Sequence, residues 1–151
     1  MRPVWSSDGA RILYGARPSR PAEDGQPIEL FQIRPDGADL GPLAGGPHRE
    51  YNHAFSPDGA TIAFDAHAAG AWESDDGRWE LWLMNADGSG RRRLTDNAVN
   101  DWGPSWSPNG ARIVFLSGRS DVYDIYTLAA DGSDRRRLTR WTAHFEGAAE
   151  P

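Results

Sequence analysis

Trp106-Ser107-Pro108-Asn109-Gly110 leads into the apolar run Ile113-Val114-Phe115-Leu116, then Ile125-Tyr126-Thr127-Leu128, the turn Ala130-Asp131-Gly132 and finally Leu138-Thr139. Read as four short strands and two glycine turns, this stretch from Asp101 to Thr139 is one copy of a pattern found twice more upstream. Gly9, Gly59 and Gly110 each follow an aromatic residue by four positions (Trp5, Phe55, Trp106). An isoleucine stands three positions later (Ile12, Ile62, Ile113) and a further aromatic two beyond it (Tyr14, Phe64, Phe115). A second glycine set, Gly37, Gly88 and Gly132, is preceded each time by aspartate and followed six residues later by Leu43, Leu94 or Leu138. Phe31, Trp82 and Tyr126 coincide in the same register, as do Ile33, Met84 and Leu128. Gly59 lies 50 residues after Gly9 and Gly110 lies 51 after Gly59, a period typical of solenoids and propellers.

Leu30-Phe31, Leu81-Trp82 and Ile125-Tyr126 are apolar on successive positions, as expected where stacked blades bury both surfaces of a sheet. Asp-Gly suits two-residue hairpins because glycine takes the positive φ, and the proline of Ser56-Pro57-Asp58-Gly59 fixes φ at the start of its turn. The expected fold class is therefore all-β: a β-propeller with three four-stranded antiparallel blades per chain. Blade 1 is expected over residues 3–46, blade 2 over 51–97 and blade 3 over 102–141, with a tail at 141–151. Trp5, Phe31, Phe55, Phe64, Trp82, Trp106, Phe115 and Tyr126 are the expected core, and Arg91 to Arg93 and Arg135 to Arg137 an exposed charged edge.

Phe55-Ser56-Pro57-Asp58-Gly59, Trp82-Leu83-Met84-Asn85-Ala86-Asp87-Gly88 and Arg92-Arg93-Leu94-Thr95 resemble the TolB-type β-propeller repeat, and the resemblance covers nearly the whole chain. The first copy departs from it, with Ser7 for proline and Ala44 for threonine. The resemblance implies a bacterial, WD40-like repeat protein of a family that usually has six blades. That family includes the periplasmic TolB protein and propellers beside prolyl-oligopeptidase-like hydrolase domains. Some TolB-like lyases acting on pectic oligosaccharides hold a metal in the propeller channel.

A chain of 151 residues, 38% hydrophobic and 11% aromatic, has enough apolar material for one domain's core. A formal charge of −6 argues against nucleic acid as a partner. No cysteine is present, which removes thiolate chemistry and disulfides. All 16 basic residues are arginine, which reads as compositional bias of the genome rather than function. Met1-Arg2-Pro3 runs directly into Trp5, so no signal peptide or membrane helix stands in the sequence. The chain is then expected to be cytoplasmic if complete, and periplasmic or secreted if a leader has been removed.

Arg17 to Pro27 and Ala68 to Arg78 lengthen the first two copies and read as surface loops, with Trp72 and its neighbouring acids either contacting a ligand or folded onto the blade edge. The segments joining an outer strand to the next inner strand lie near a propeller's channel mouth. They place Glu50, Tyr51, Asn52, His53, Asn100, Asp101, Trp102, His144 and Glu146 as candidate ligand-binding residues. His53, Asp101, His144 and Glu146 have the chemistry to hold a divalent metal, although these same groups also serve to satisfy backbone and water at strand ends. Gly88-Ser89-Gly90 lacks the Gly-x-Ser-x-Gly elbow, and no phosphate-binding loop or catalytic residue set is recognised.

Three functional readings follow. The first is a non-catalytic scaffold binding a protein, peptide or small polar ligand at the channel mouth, with no cofactor. The second is a metal-assisted lyase or hydrolase for an acidic carbohydrate, and the third a fragment of a larger protein's propeller. Three blades cannot close a ring, since propellers have four to eight. A homodimer making one six-bladed ring is expected, the tail from Trp141 to Pro151 reaching the partner's first blade.

Overall fold

The computed structural model describes residues 2–17, 28–38, 41–44, 50–67, 78–119 and 122–140. They form twelve strands and, among the described residues, no helix. The first antiparallel sheet comprises β1 (Val4–Trp5), β2 (Ile12–Ala16), β3 (Glu29–Ile33) and β4 (Gly41–Ala44) in sequential order. The second comprises β5 (Glu50–Phe55), β6 (Thr61–His67), β7 (Trp79–Asn85) and β8 (Arg92–Arg93), and the third β9 (Asn100–Trp106), β10 (Arg112–Arg119), β11 (Val122–Ala129) and β12 (Arg136–Arg137). All three are four-stranded meanders, the expected architecture of a partial propeller. The lengthened loops, including Trp72, and the tail beyond residue 140 fall outside the described residues.

The first turn of each blade is held by serine more than by proline. Ser6, Ser56 and Ser107 donate their hydroxyls to Asp8, Asp58 and Asn109, and each Oγ accepts the backbone N–H that starts the next strand. These bonds, with Ser6 and Ser56 as the leading cause, hold the Asp8 and Asp58 carboxyls below the usual aspartate range. Ser7 therefore replaces the proline without loss of the turn.

Stacking is written into alternate positions of each strand. On β6, Ile62, Phe64 and Ala66 face the first blade and pack with Leu13, Leu30 and Leu43, while the intervening Ala63 faces the third blade with Leu81 and Leu83. There they meet Ile113, Phe115 and Leu128. A buried side chain of this kind contributes about 1.5–3 kcal/mol. The approach is closest at the second turns. Gly88, at φ 87°, lies so near the Leu43 carbonyl oxygen that a Cβ would stand 1.7 Å from it, and Gly132 approaches Leu94 at the matching turn less closely, with 3.3 Å to its carbonyl oxygen. Glycine is required at Gly88 both for its φ and for this contact.

Two expected core residues are not in the core, Trp5 and Phe31, the latter half-buried and stacked on Tyr14. Phe55 and Trp106 pack against the preceding blade, Trp106 donating its indole N–H to the Ala54 carbonyl, but Trp5 is 59% exposed. The reason is positional, because no blade among the described residues covers this face of the first. Ile12 and Tyr14 are likewise only half-buried, whereas their counterparts Ile62, Phe64, Ile113 and Phe115 are buried. At the other end Leu138 is 58% exposed, although its counterpart Leu43 is buried and Leu94 is packed against the third blade. Replacing Phe64 by Ala should cost about 3–5 kcal/mol. The same change at Tyr14 should cost markedly less in chains kept monomeric by dilution, a difference read from paired urea unfolding curves.

Candidate functional site

The arginine triplets do not form a simple charged edge. Arg91 leaves the outer strand and lies across its blade, its guanidinium 5.0 Å from both the Trp82 and Phe64 ring centroids, to end on the Glu50 carboxylate of the inner strand. Arg135 repeats this over Tyr126 (4.7 Å) and Phe115 (5.4 Å) to reach Ser117 and Asp101. Arg93 and Arg137, second members of the pattern, pair with the buried Glu80 and Asp124, which also accept the hydroxyls of Thr95 and Thr139. Of the two triplets only Arg91 is half-buried; Arg92, Arg93, Arg135, Arg136 and Arg137 keep the expected exposure, and Arg92 reaches the Ala130 and Asp131 carbonyls of the next blade.

These struts place two of the sequence-derived site residues in structural roles. Both Asp101 oxygens are occupied, one by Arg135 and the other by Asn97. Glu50 accepts from Arg91 and from the Leu30 N–H of the first blade; burial pushes its carboxyl up, and Arg91 offsets this only in part. His53 is buried beside the backbone of Arg2 and Leu13, and its ring nitrogens form no hydrogen bond of normal geometry. Burial lowers its pKa, keeping the ring neutral. Among the described residues no three histidine or carboxylate groups converge on a point where a metal could sit, and His144 and Glu146 lie outside them.

Tyr51, Asn52, Asn100 and Trp102 do come together. They share a pocket of about 330 Å³ between the second and third blades with three residues that the sequence reading missed, Asp65, Trp79 and Tyr123. Its walls are two aromatic pairs in the same register: Tyr51 meets Trp79 edge-on at 5.1 Å, and Trp102 meets Tyr123 edge-on at 5.4 Å. His67 packs on the far edge of Trp79. Both inner strands bulge here, with Asn52 at φ 42° and Gly103 at φ 67°. Asp65 joins the two bulges by accepting the Gly103 N–H at 3.1 Å and the Asn52 amide at 3.3 Å. A wider hollow on the inner-strand side, about 460 Å³, is lined by Arg2, Val4, Tyr51, Asn52, His53, Gly103 and neighbouring residues. Asp65 was visible as the one charged residue in an apolar run, where the other copies have Gly15 and Leu116.

Three stacked antiparallel meanders whose first strands share one inner wall define an arc of a β-propeller. The chain belongs to the TolB beta propeller family, whose domain profile matches residues 1–149. An uncharacterized protein of Agrobacterium fabrum is 33% identical over 121 residues, covering 80% of this chain and 36% of that protein. The Tol-Pal system protein TolB of Anaeromyxobacter dehalogenans is 41% identical over 108 residues, 70% of this chain and 21% of that protein. A solved structure from Agrobacterium tumefaciens, described as a TolB candidate, superposes with a TM-score of 0.73 at 28% identity, covering 89% of this chain and 47% of that one. The chain thus spans 36% and 21% of the length of these two curated relatives.

Two outcomes check this assignment of roles. Arg135→Ala leaves Asp101 buried and unpaired and should destabilise the fold by about 3–5 kcal/mol, whereas Arg135→Met with Asp101→Asn should recover most of that in chemical denaturation. Asp65 has its pKa raised from 3.8 to about 6 by burial, the hydrogen bonds from Gly103 and Asn52 offsetting this only in part. Its ionisation therefore opposes folding: the cost is absent below pH 4, grows between pH 4 and 6, and is full above it, on the order of 3 kcal/mol. Asp65→Asn should gain stability over the parent at pH 7.5 and none at pH 4, read as the difference between their pH-stability curves.

Proposed function

We propose that this chain is a non-catalytic TolB-like scaffold that binds a protein, peptide or small polar ligand at its inner strands and adjoining pocket, and that a second copy completes its arc to six blades. One observation carries the binding reading. The buried carboxylates that recur from blade to blade, Glu50, Asp101, Glu80 and Asp124, are all held by arginines of their own blade, and the open aromatic pocket forms where the repeat is broken by Asp65. A propeller whose recurring acids serve the blades leaves its irregular positions for recognition. The TolB relative belongs by name to the Tol-Pal system, which supports a protein as the ligand class.

The assembly reading is supported by the two end faces. Trp5, Ile12 and Tyr14 on one side and Leu138 on the other occupy positions that are packed wherever a neighbouring blade exists. Exposed apolar faces of this kind are sites of association. Arg112 fits as well: its counterpart Arg11 grips the Ala86 and Gly59 carbonyls of the next blade, while Arg112 folds back onto Asp134. A second copy offers the missing turns, and two-fold assemblies are the commonest closed form.

Light scattering on the purified chain of 16.6 kDa should give twice that mass at micromolar concentration. Leu138→Glu should return it to a monomer with lowered melting temperature. A well-folded monomer of the parent chain would point instead to blades supplied by a longer polypeptide.

A further inference from the structure

We propose that the pocket between the second and third blades binds an organic cation, the guanidinium or alkylammonium head of a peptide side chain or of a free amine. This rests on the scaffold reading and names the chemistry its pocket selects. Five carboxylates are buried among the described residues: Glu50, Asp65, Glu80, Asp101 and Asp124. Four of them have an arginine partner, namely Arg91, Arg93, Arg135 and Arg137 in turn. Asp65, 1% exposed, has none among the described residues, only the two N–H donors from Gly103 and Asn52. Each of its oxygens retains a lone pair, and it lines the pocket at the junction of the second and third blades.

The remaining walls complete the argument. Tyr51, Trp79, Trp102 and Tyr123 are half-buried, and two indoles and two phenols around one carboxylate form the kind of aromatic cage that attracts cations through the ring quadrupoles. No arginine or histidine is among the described lining residues. The Trp102 indole N–H is buried without an acceptor, leaving a donor for a carbonyl on the molecule that carries the cation. The overall charge of −6 favours the approach of cationic ligands. Sequence register explains why only this junction qualifies: the third blade has Leu116 where the second has Asp65, and the first has Gly15 there and Ile28 in place of Trp79.

The test is a titration of the full chain with N-acetyl-arginine amide, its neutral isostere N-acetyl-citrulline amide, and methylguanidinium, followed by tryptophan emission and calorimetry at pH 7.5. The arginine probe should bind at least roughly tenfold more tightly than the citrulline probe. Asp65→Asn, whose Oδ1 can keep the Gly103 N–H and whose Nδ2 can donate to Asn52 once that amide turns over, should abolish that preference while its thermal transition survives. Tyr123→Leu, a second variant away from the bulges, should weaken arginine binding several-fold. Methylguanidinium binding as tightly as the peptide probe assigns the site to free amines, and weaker binding assigns it to side chains; both uphold the cation. Equal binding of the charged and neutral probes overturns the cation while leaving a binding scaffold. No binding of any probe at millimolar concentration, or arginine binding unchanged by Asp65→Asn, overturns the proposal outright, and the assembly mass still judges the scaffold separately.

Discussion

Everything in this molecule depends on one constraint: each blade is apolar on both faces and is stable only where another blade covers it. A strand such as β6 sends Ile62, Phe64 and Ala66 one way and Ala63 the other, and all four are buried because a blade lies on each side. The middle blade is thus the best satisfied, and the outer two each leave one face short of a neighbour. Small domains gain their stability from a modest surplus of burial over chain entropy, so an unpaired face of this size weighs heavily. The same constraint fixes Gly88, whose turn presses against the Leu43 backbone too closely for any side chain, while the Gly132 turn makes a tight contact with Leu94.

Arginine carries a second layer of the same design. The planar guanidinium spreads over aromatic rings and still presents several N–H donors at its rim, which a lysine ammonium cannot do. Arg91 and Arg135 use both properties at once, tying the outer strand of a blade to its inner strand beneath a partly covered face. Arg11 and Arg92 use the fork differently, each reaching two backbone carbonyls of the following blade. The all-arginine composition, which looked like compositional bias, thus has structural uses in every blade.

Much of the fold was legible because the register of three copies overdetermines it: glycines, aromatics and leucines recur at fixed offsets, and their chemistry fits only hairpin turns and two-sided sheets. Less could be read of what lies between copies. Trp5 occupies the same register as Phe55 and Trp106 in sequence, but among the described residues no blade covers its face and it is exposed. The candidate site was half legible. Tyr51, Asn52, Asn100 and Trp102 were found from their connection to the inner strands, but Asp65, Trp79 and Tyr123 sit on other strands and converge only through the matched bulges at Asn52 and Gly103. Glu50 and Asp101 were read as candidate ligand-binding acids because nothing in the sequence shows an arginine beside the outer strand crossing the whole blade to meet them.

The central claim is that the exposed end faces are complementary blade-docking surfaces, with Leu138 seated where the Gly37 turn of another first blade meets it, as Leu43 and Leu94 meet the turns at Gly88 and Gly132. The chain has no cysteine, so single cysteines can be placed freely. One preparation would carry Ala38→Cys beside that turn, another Leu138→Cys, and the two would be mixed and treated with a short bis-maleimide. The account predicts cross-linked dimers in the mixture and almost none in either preparation alone. Efficient cross-linking of the Leu138→Cys chain to itself, or no cross-link in the mixture, would contradict it.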